Sequence, residues 1–371
     1  MRLDAFTERV MRKNKSNQSR LPLTISAQYG LVDQITFFNK VVASTDLSNY
    51  YLLKKGEFAY NKSYSSDYPW GAIKRLDNYD QGALSSLYIC FAPQDNIVSD
   101  FILQYFESPK WHKGISEIAV EGARNHGLLN VAVQDFFHTY HYVPKDKKEQ
   151  IKISKLLMLL DERISTQNKI IEDLKKLKSA IIEKLYSEIQ GKEYSYRQLF
   201  EIINERNNRL EFSNVLSASQ ERGMVSREDL NLDIKFERSN INTYKIVRNG
   251  DYVIHLRSFQ GGFAFSDIVG VCSPAYTIMR PKDLLEYGYL SYYFTSRQFI
   301  KSLVIVTYGI RDGRSINVDE WFDMKIVIPT KEQQRHIVRT IKVFENKIEN
   351  EEMYASCLLK QKQHLLRQMF I

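Results

Sequence analysis

The chain has 371 residues, and its 52 lysines and arginines outnumber its 44 acidic residues, which gives a formal net charge of +8. The N-terminus is charged where a signal peptide needs an apolar run, and no segment is apolar for long enough to span a bilayer, so we expect a cytoplasmic protein without membrane association. The three cysteines have neither metal-binding nor disulfide spacing, and we expect no metal site. The basic excess is compatible with a polyanionic partner but does not establish one.

Short apolar runs alternate with turn residues in the first part of the chain. Aromatic and β-branched residues at 21–25, 57–60 and 86–91, each run next to Gly or Pro, predict strands. The apolar residues at 100–113 are spaced as on one face of a helix. We therefore predict a mixed α/β domain over residues 1–146.

A long helix is predicted over residues 147–190, because no Gly or Pro occurs between 147 and 189. Such a helix is roughly 60 Å long, and Gly191 is predicted to terminate it. A second mixed domain is predicted over 191–330 and a second long helix over 331–371. The aromatic residues of the second domain that have helical spacing are predicted to belong to its core rather than to stack on bases. They are Tyr292, Tyr293, Phe294 and Phe299.

The second half of the chain repeats the first. Apolar residues of the two long helices follow one heptad register at a constant separation of 184 residues, as between Ile153 and Ile337. The repeat extends to polar positions and to the residues before each helix. Corresponding pairs include Gln167 and Glu351, Lys178 and Lys362, Gly56-Glu57 and Gly250-Asp251, and Pro144 before Glu149-Gln150 and Pro329 before Glu332-Gln333.

Heptad spacing predicts that each long helix buries an apolar seam against another helix. We expect the two helices to pair with each other as an antiparallel coiled coil, which relates the repeats by a pseudo-two-fold axis in an α+β protein. The alternative is that each helix packs only on its own domain, and the length of the helix disfavours it, because such a domain has a radius of gyration of about 14 Å. The predicted interface residues are Leu157, Leu160, Ile164, Ile171, Leu174, Ile181, Ile341, Phe344, Ile348, Leu358 and Leu365.

The order of domain, long helix, domain and long helix resembles the specificity subunit of type I restriction-modification systems. Strand-and-turn runs such as Leu23-Thr24-Ile25-Ser26 and residues 51–58, and helix starts of the form Pro-(x)-Glu-Gln, contribute to the resemblance, which covers essentially the whole chain. It implies a non-catalytic subunit in which each domain reads one half of a bipartite, asymmetric site in double-stranded DNA. It also implies that the helices set the gap between the halves and dock two modification (methyltransferase) subunits for adenine methylation. Restriction or translocase subunits are further expected partners. No cofactor is expected on this chain, and S-adenosylmethionine, ATP and magnesium are expected on the partner subunits.

DNA contacts require lysine or arginine for phosphates and polar side chains for base edges. Two turn-rich segments in each domain combine such residues, and two of these segments place a Gly shortly before an Arg, which leaves the guanidinium free to bind phosphate or guanine. The alternative is that these arginines form salt bridges within their own domains. The candidates are Lys62, Ser63, Tyr64, Trp70, Lys74, Arg75, Arg124, Asn125 and His126 in the first domain, and His255, Arg257, Ser258, Gln260, Arg311 and Arg314 in the second.

Sequence motifs for catalysis are absent. The chain has no Asn-Pro-Pro or Asp-Pro-Pro motif for holding a flipped base, no Gly-x-Gly cofactor loop and no phosphate-binding loop. We interpret the acid pairs 161–162 and 351–352 as ordinary charges of the helices. The rival hypothesis is a coiled-coil scaffold or protein-binding module without DNA recognition, and salt-dependent DNA binding would separate the two. A nuclease with its own active site is a third hypothesis, to which we assign no residues.

Overall fold

The computed structural model describes residues 1–40, 43–119, 127–219, 222–230, 238–255, 262–308 and 315–370. The chain forms two compact units, one comprising Met1–Asn168 with Met353–Ile371 and the other Lys169–Glu352. Each unit combines a globular α+β domain with portions of two long helices. Among the described residues, no helix is both long and apolar enough to cross a membrane.

The globular part of the first unit contains short strands and short helices. The strands are β1 (Thr7–Arg9), β2 (Pro22–Ser26), β3 (Gly30–Asp33), β4 (Tyr51–Lys54), β5 (Phe58–Asn61), β6 (Ala72–Arg75), β7 (Gln81–Leu84) and β8 (Ile89–Pro93). The helices are α1 (Gln34–Phe38), α2 (Ser99–Glu107), α3 (His112–Ile118) and α4 (Val133–His138). Three-residue 3-10 turns lie at Leu3–Ala5, Lys15–Asn17 and Pro109–Trp111.

Two four-stranded sheets make up this domain. One has the strand order β1-β8-β5-β6 and is antiparallel throughout. The other has the order β3-β2-β7-β4, in which β2 and β7 are parallel. The three strands predicted from the sequence are confirmed as β2, β5 and β8. The single helix predicted over 100–113 is wrong at its C-terminal end: α2 stops at Glu107, because Pro109 lacks the N–H that a continuing helix requires.

The second unit begins with the rest of the first long helix, α5 (Lys147–Ser187). Its strands are β9 (Lys192–Ser195), β10 (Phe200–Ile203), β11 (Leu216–Ser219), β12 (Gly223–Ser226), β13 (Lys245–Val247), β14 (Tyr252–Ile254), β15 (Phe263–Phe265), β16 (Gly270–Cys272), β17 (Thr277–Pro281), β18 (Thr307–Tyr308), β19 (Ser315–Ile316) and β20 (Lys325–Ile328). Its helices are α6 (Tyr196–Leu199), α7 (Tyr289–Tyr293), α8 (Arg297–Ser302), α9 (Val318–Asp323) and the first part of α10 (Lys331–Gln368). The 3-10 turns are Arg227–Leu230, Arg238–Thr243 and Leu303–Val306.

Strand order within the second unit corresponds to that within the first. A four-stranded antiparallel sheet has the order β10-β17-β14-β15, and β11 pairs with β12 and β13 with β16. A parallel bridge between Val215 and Val271 takes the place that the parallel β2–β7 pairing has in the first unit. The antiparallel pair β9–β20 brings together the two ends of the globular domain.

Gly191 lies at this pair and not at the helix end that the sequence predicted, since α5 already stops at Ser187. A Cβ atom at position 191 would lie 2.1 Å from the carbonyl oxygen of Ile328 and 2.9 Å from Cα of Pro329. Glycine is therefore required here for the close approach of two backbone segments.

Aromatic residues dominate both domain cores. In the first unit, Phe58 and Phe91 stack with ring centroids 5.4 Å apart, and Phe370 beyond the end of α10 contacts Phe101 and Tyr105 at 5.5 Å each. In the second unit, Tyr293, Phe294 and Phe299 are buried and Tyr292 is half-buried, which confirms them as core residues.

The residues predicted at the helix interface are all buried or half-buried. Part of this burial comes from the globular domains, because Leu157 and Leu365 pack in the first core and Ile341 in the second. Ion pairs also join the two long helices within each unit. Asp161 pairs with Lys362 in the first unit, and Lys175 with Glu352 and Lys178 with Glu345 in the second.

Candidate nucleic-acid interface

The segment after β5 in the first unit is held against residues 127–129. The N–H of Tyr64 donates to the carbonyl of Gly127 at 3.0 Å, and the N–H of Leu129 donates to the carbonyl of Lys62 at 2.9 Å. Ser63 forms a bridge with Leu128 between them. This short two-stranded contact fixes the backbone of a turn-rich segment that has no sheet of its own.

The contact involves one predicted DNA-binding segment and the residues that follow another in the sequence. Residues 62–64 belong to the first, and Gly127 immediately follows Arg124, Asn125 and His126 of the second in the sequence. These three candidates lie outside the described residues. The structure thus places the first segment beside Gly127, the residue that follows the second one in the sequence.

Lys62, Ser63 and Tyr64 differ from Trp70 in their surroundings. Lys62 is half-buried, Ser63 is exposed and the side chain of Tyr64 is 51% exposed. Trp70 is half-buried against the domain core, and its carbonyl accepts a hydrogen bond from the Tyr60 hydroxyl at 2.9 Å. Within the described parts of the chain, Lys62 makes no ion pair. Tyr64 and Lys62 therefore present an aromatic ring and a cation at the start of this segment.

Lys74 and Arg75, which lie in β6, form ion pairs within their own domain. Lys74 binds Glu107 at 2.6 Å. Arg75 binds Asp77 and Asp100, both at 2.7 Å, and its side chain is only 12% exposed. This is the arrangement that the sequence analysis considered as the alternative for arginines, and DNA contact by these two residues remains a prediction.

The corresponding segment of the second unit follows β14. The N–H of His255 donates to the carbonyl of Gly262 at 2.8 Å, so the two ends of the segment are adjacent. The His255 ring lies 6.0 Å from that of Tyr276. The remaining candidates of this unit, Arg257, Ser258, Gln260, Arg311 and Arg314, lie outside the described residues.

An acid-capped turn precedes both segments. Gly56 and Gly250 adopt positive φ angles of 87° and 91°, which glycine accepts without strain. The next residue in each repeat is a buried acid that accepts a hydrogen bond from the backbone N–H three residues before it: Glu57 from Lys54 at 2.7 Å and Asp251 from Arg248 at 2.9 Å. The turn therefore fixes the start of β5 and of β14, the strands that the candidate segments follow in the sequence.

An arginine binds each of these acids with two of its guanidinium nitrogens, and the sequence analysis missed it. Arg12 approaches Glu57 at 2.9 and 3.2 Å, and Arg280 approaches Asp251 at 2.9 and 3.0 Å. Arg12 precedes β2, whereas Arg280 lies in β17. Because the arginine comes from a different element in each repeat, no constant separation in the sequence could have found it.

Each domain is attached to the following long helix by a buried glutamine. Gln150 accepts from the N–H of Val98 at 2.8 Å and donates to the carbonyl of Pro144 at 2.7 Å. Gln334 accepts from the N–H of Glu286 at 2.8 Å and donates to the carbonyls of Leu284 and Pro329, both at 3.0 Å.

Gln334 therefore corresponds to Gln150, and the sequence-based pairing of Gln150 with Gln333 is wrong. Gln333 instead accepts from the N–H and hydroxyl of Thr330 and caps the start of α10. The constant separation of 184 residues identified the correct glutamine, since it relates 150 to 334. Alignment on the Glu-Gln dipeptide selected the wrong glutamine, because the capping residue Gln333 and the buried residue Gln334 are adjacent in the sequence.

No family model matches the sequence, and no curated protein matches it significantly. Solved structures match over almost its full length. One is a chain from a structure of complex assembly and conformational transition of the type I R-M system, with a TM-score of 0.62 and 14% identity over 99% of this chain and 96% of that one. The HsdS subunit from Thermoanaerobacter tengcongensis has a TM-score of 0.51 and 15% identity, and the match covers 100% of this chain and 95% of that one. The type I restriction-modification system S subunit from M. genitalium has a TM-score of 0.51 and 14% identity, and this match also covers 100% of this chain and 95% of that one.

The chain has the fold of type I S subunits. In this S-subunit fold, the candidate segments follow equivalent strands, β5 and β14, of two sheets with corresponding strand order. The acid-capped turns before them and the glutamines after the globular domains are likewise present in both units. The likeness extends to the whole chain and thus includes both domains and both long helices.

Proposed function

We propose that this chain is the specificity subunit of a type I restriction-modification complex and reads a bipartite, asymmetric DNA site. The observation that carries the proposal is the contact between residues 62–64 and 127–129, which holds the first candidate segment, with Lys62 and Tyr64, against the residues that follow the second candidate segment in the sequence. The S-subunit fold supports it, because that fold supplies a second domain with its own candidate segment after β14. Since the two domains differ in sequence, the two half-sites differ as well.

In this proposal the long helices pair as an antiparallel coiled coil and the repeats are related by a pseudo-two-fold axis. The ion pairs support antiparallel pairing, since in the second unit Lys175 binds Glu352 and Lys178 binds Glu345, so that residue numbers rise on one helix as they fall on the other. A pseudo-two-fold scaffold suits DNA, whose backbone has two-fold symmetry. The helices also dock two methyltransferase subunits.

The chain has no catalytic role of its own in this scheme. S-adenosylmethionine, ATP and magnesium belong to the methyltransferase and to the restriction or translocase subunits. This chain contributes the sequence information and the distance between half-sites.

Mapping adenine methylation across the genome, with and without the gene, tests the proposal. Disappearance of one bipartite motif upon deletion is the expected result. If the motif persists and the purified complex does not bind DNA, the scaffold hypothesis replaces the proposal.

Substitution of Lys62 tests the proposed interface directly. Lys62→Ala should weaken binding of the reconstituted complex to all sequences alike and reduce the slope of log K against log salt by about 1, as expected for one lost phosphate contact. Lys113→Ala is the matched control, because Lys113 is a highly exposed lysine in α3 of the same unit. Equal salt slopes for both variants would remove Lys62 from the interface.

A further inference from the structure

Asp161 of α5 joins three elements of the first unit. Its carboxylate accepts a hydrogen bond from the side-chain amide of Gln104 in α2 at 2.9 Å and pairs with Lys362 of α10. Gln104 is 3% exposed, and the side chains of Lys362 and Asp161 are 17% and 40% exposed, so the amide donor is shielded from solvent while the carboxylate is partly exposed. One carboxylate thus connects the globular domain to both long helices.

Glu345 of α10 has the same role in the second unit. It pairs with Lys178 of α5 at 3.3 Å and accepts a hydrogen bond from the hydroxyl of Tyr292 in α7 at 2.7 Å. Burial, together with the neighbouring Glu345 carboxylate, raises the pKa of Tyr292 well above its ordinary value. The phenol therefore stays protonated and donates to Glu345 at all physiological pH values.

The two arrangements correspond position by position. The separation of 184 residues relates Asp161 to Glu345 and Lys178 to Lys362. Gln104 and Tyr292 lie in α2 and α7, the helices that follow the corresponding strands β8 and β17. The Gln104 amide and the Tyr292 phenol differ chemically. What the two units share is a hydrogen-bond donor on the globular domain and an acidic acceptor on a long helix.

A directional contact is needed here because apolar packing between a domain and a helix does not fix one orientation. Hydrogen bonds and ion pairs across such an interface favour one register. One base pair corresponds to about 3.4 Å along the duplex, so a small displacement of a domain along its helix is enough to favour another spacing.

We infer that the Gln104–Asp161–Lys362 and Tyr292–Glu345–Lys178 junctions are positioning residues that fix each recognition domain on the long helices and thereby set the spacing between half-sites. This inference rests on the proposed function and deepens it. Neither junction contacts DNA in this scheme, and its effect on specificity is indirect.

The test uses the variants Tyr292→Phe and Gln104→Leu, singly and together, in the reconstituted methyltransferase complex. Tyr292→Phe removes only one hydroxyl, and Gln104→Leu retains a similar volume. The probes are duplexes that carry the bipartite motif from methylation mapping with the native spacer or a spacer one base pair shorter or longer. Preference for the native spacer should fall about tenfold in the double variant, as expected for lost hydrogen bonds to charged groups.

Lys175→Ala is the matched control. Lys175 binds Glu352 at 2.7 Å and also joins the two long helices, but the described residues show no hydrogen bond from it to a globular domain. Its spacer preference should equal that of the wild type. Unchanged spacer preference in the double variant, with a lower melting temperature, would make the junctions purely structural and overturn the inference. If the wild-type complex recognises no bipartite site, the proposed function itself fails together with this inference.

Discussion

His141 is a buried histidine whose hydrogen bonds require one neutral tautomer. Thr139 gives its hydroxyl proton to the carbonyl of Phe136 at 2.7 Å, so its oxygen must accept from Nε2 of His141 at 2.8 Å. The hydroxyl of Tyr105 then donates to Nδ1 at 3.0 Å. A second proton on the ring would face the Tyr105 hydroxyl, which would lose its acceptor.

Acid should therefore destabilise the first unit through His141. Burial, with the N-terminal ammonium of Met1, lowers the pKa of His141 from 6.5 to about 4. Between these values the unfolded chain binds a proton that the folded chain does not, so stability falls as pH falls, by about 1.4 kcal/mol per pH unit. Urea denaturation between pH 7 and pH 4.5 measures this slope.

His141→Gln isolates this contribution from that of the carboxylates. The variant should be less stable at pH 7, because hydrogen bonds are lost, but its stability should depend less on pH than that of the wild type. His364→Gln is the control, since His364 is exposed on α10, and it should retain the wild-type slope. If unfolding free energy depended equally on pH in the wild type and both variants, protonation of His141 would not destabilise the folded protein, which would contradict the prediction.

At the scale of elements, the sequence predicted what periodicity encodes. The heptads of α5 and α10 and the strands β2, β5 and β8 arise from apolar spacing, which is local information. The bond from Arg12 to Glu57 and the attachment of Gln150 to Val98 join residues distant in sequence, and periodicity contains no signal for them. Only the repeat itself, through its constant separation, could have pointed to Gln334.

The buried glutamine should contribute more to stability than its neighbour at the start of α10. Gln334→Ala leaves one backbone N–H and two carbonyls without their partner, and each unpaired buried group costs about 1–3 kcal/mol. Gln333→Ala removes only one side of the capping box with Thr330, which costs no more than the about 1 kcal/mol of a whole N-cap. Urea denaturation of the two variants should therefore show a clearly lower midpoint for Gln334→Ala, and similar midpoints would contradict the role assigned to Gln334.

At the scale of the whole molecule, the organisation was predictable from the sequence, whereas the choice among candidate DNA contacts was not. Repeats and heptads revealed two domains that alternate with two long helices. The choice among Lys62, Lys74 and Arg75 depends on which cations are already paired, as Lys74 is with Glu107. Such pairing follows from tertiary contacts between β6 and α2, which the sequence around position 74 does not contain.

Exchange of the second domain should change one half of the recognised motif and leave the other half intact. The pair β9–β20 brings both ends of this domain together, with Lys192 opposite Ile328, and Gly191 permits the close approach of the two segments. Replacement of residues 192–328 with the counterpart from another S subunit, with Gly191 and Pro329 retained, therefore leaves α5 and α10 unaltered. Gln334 contacts backbone groups of the domain and Glu345 accepts a hydrogen bond from Tyr292, so the donor must supply the equivalents of Leu284, Glu286 and Tyr292.

Methylation mapping in cells that carry the exchanged chain checks this outcome. Reinsertion of the chain's own domain through the same two joints is the control and should restore the original motif. A motif altered in both halves would mean that the domains do not read independently, and an unaltered motif would assign recognition to the first domain alone. The bipartite proposal requires a motif that combines one old half with one new half. The original spacing is expected only if the donor domain also supplies a hydrogen-bond donor to Glu345, because the junction at Tyr292 lies within the exchanged residues.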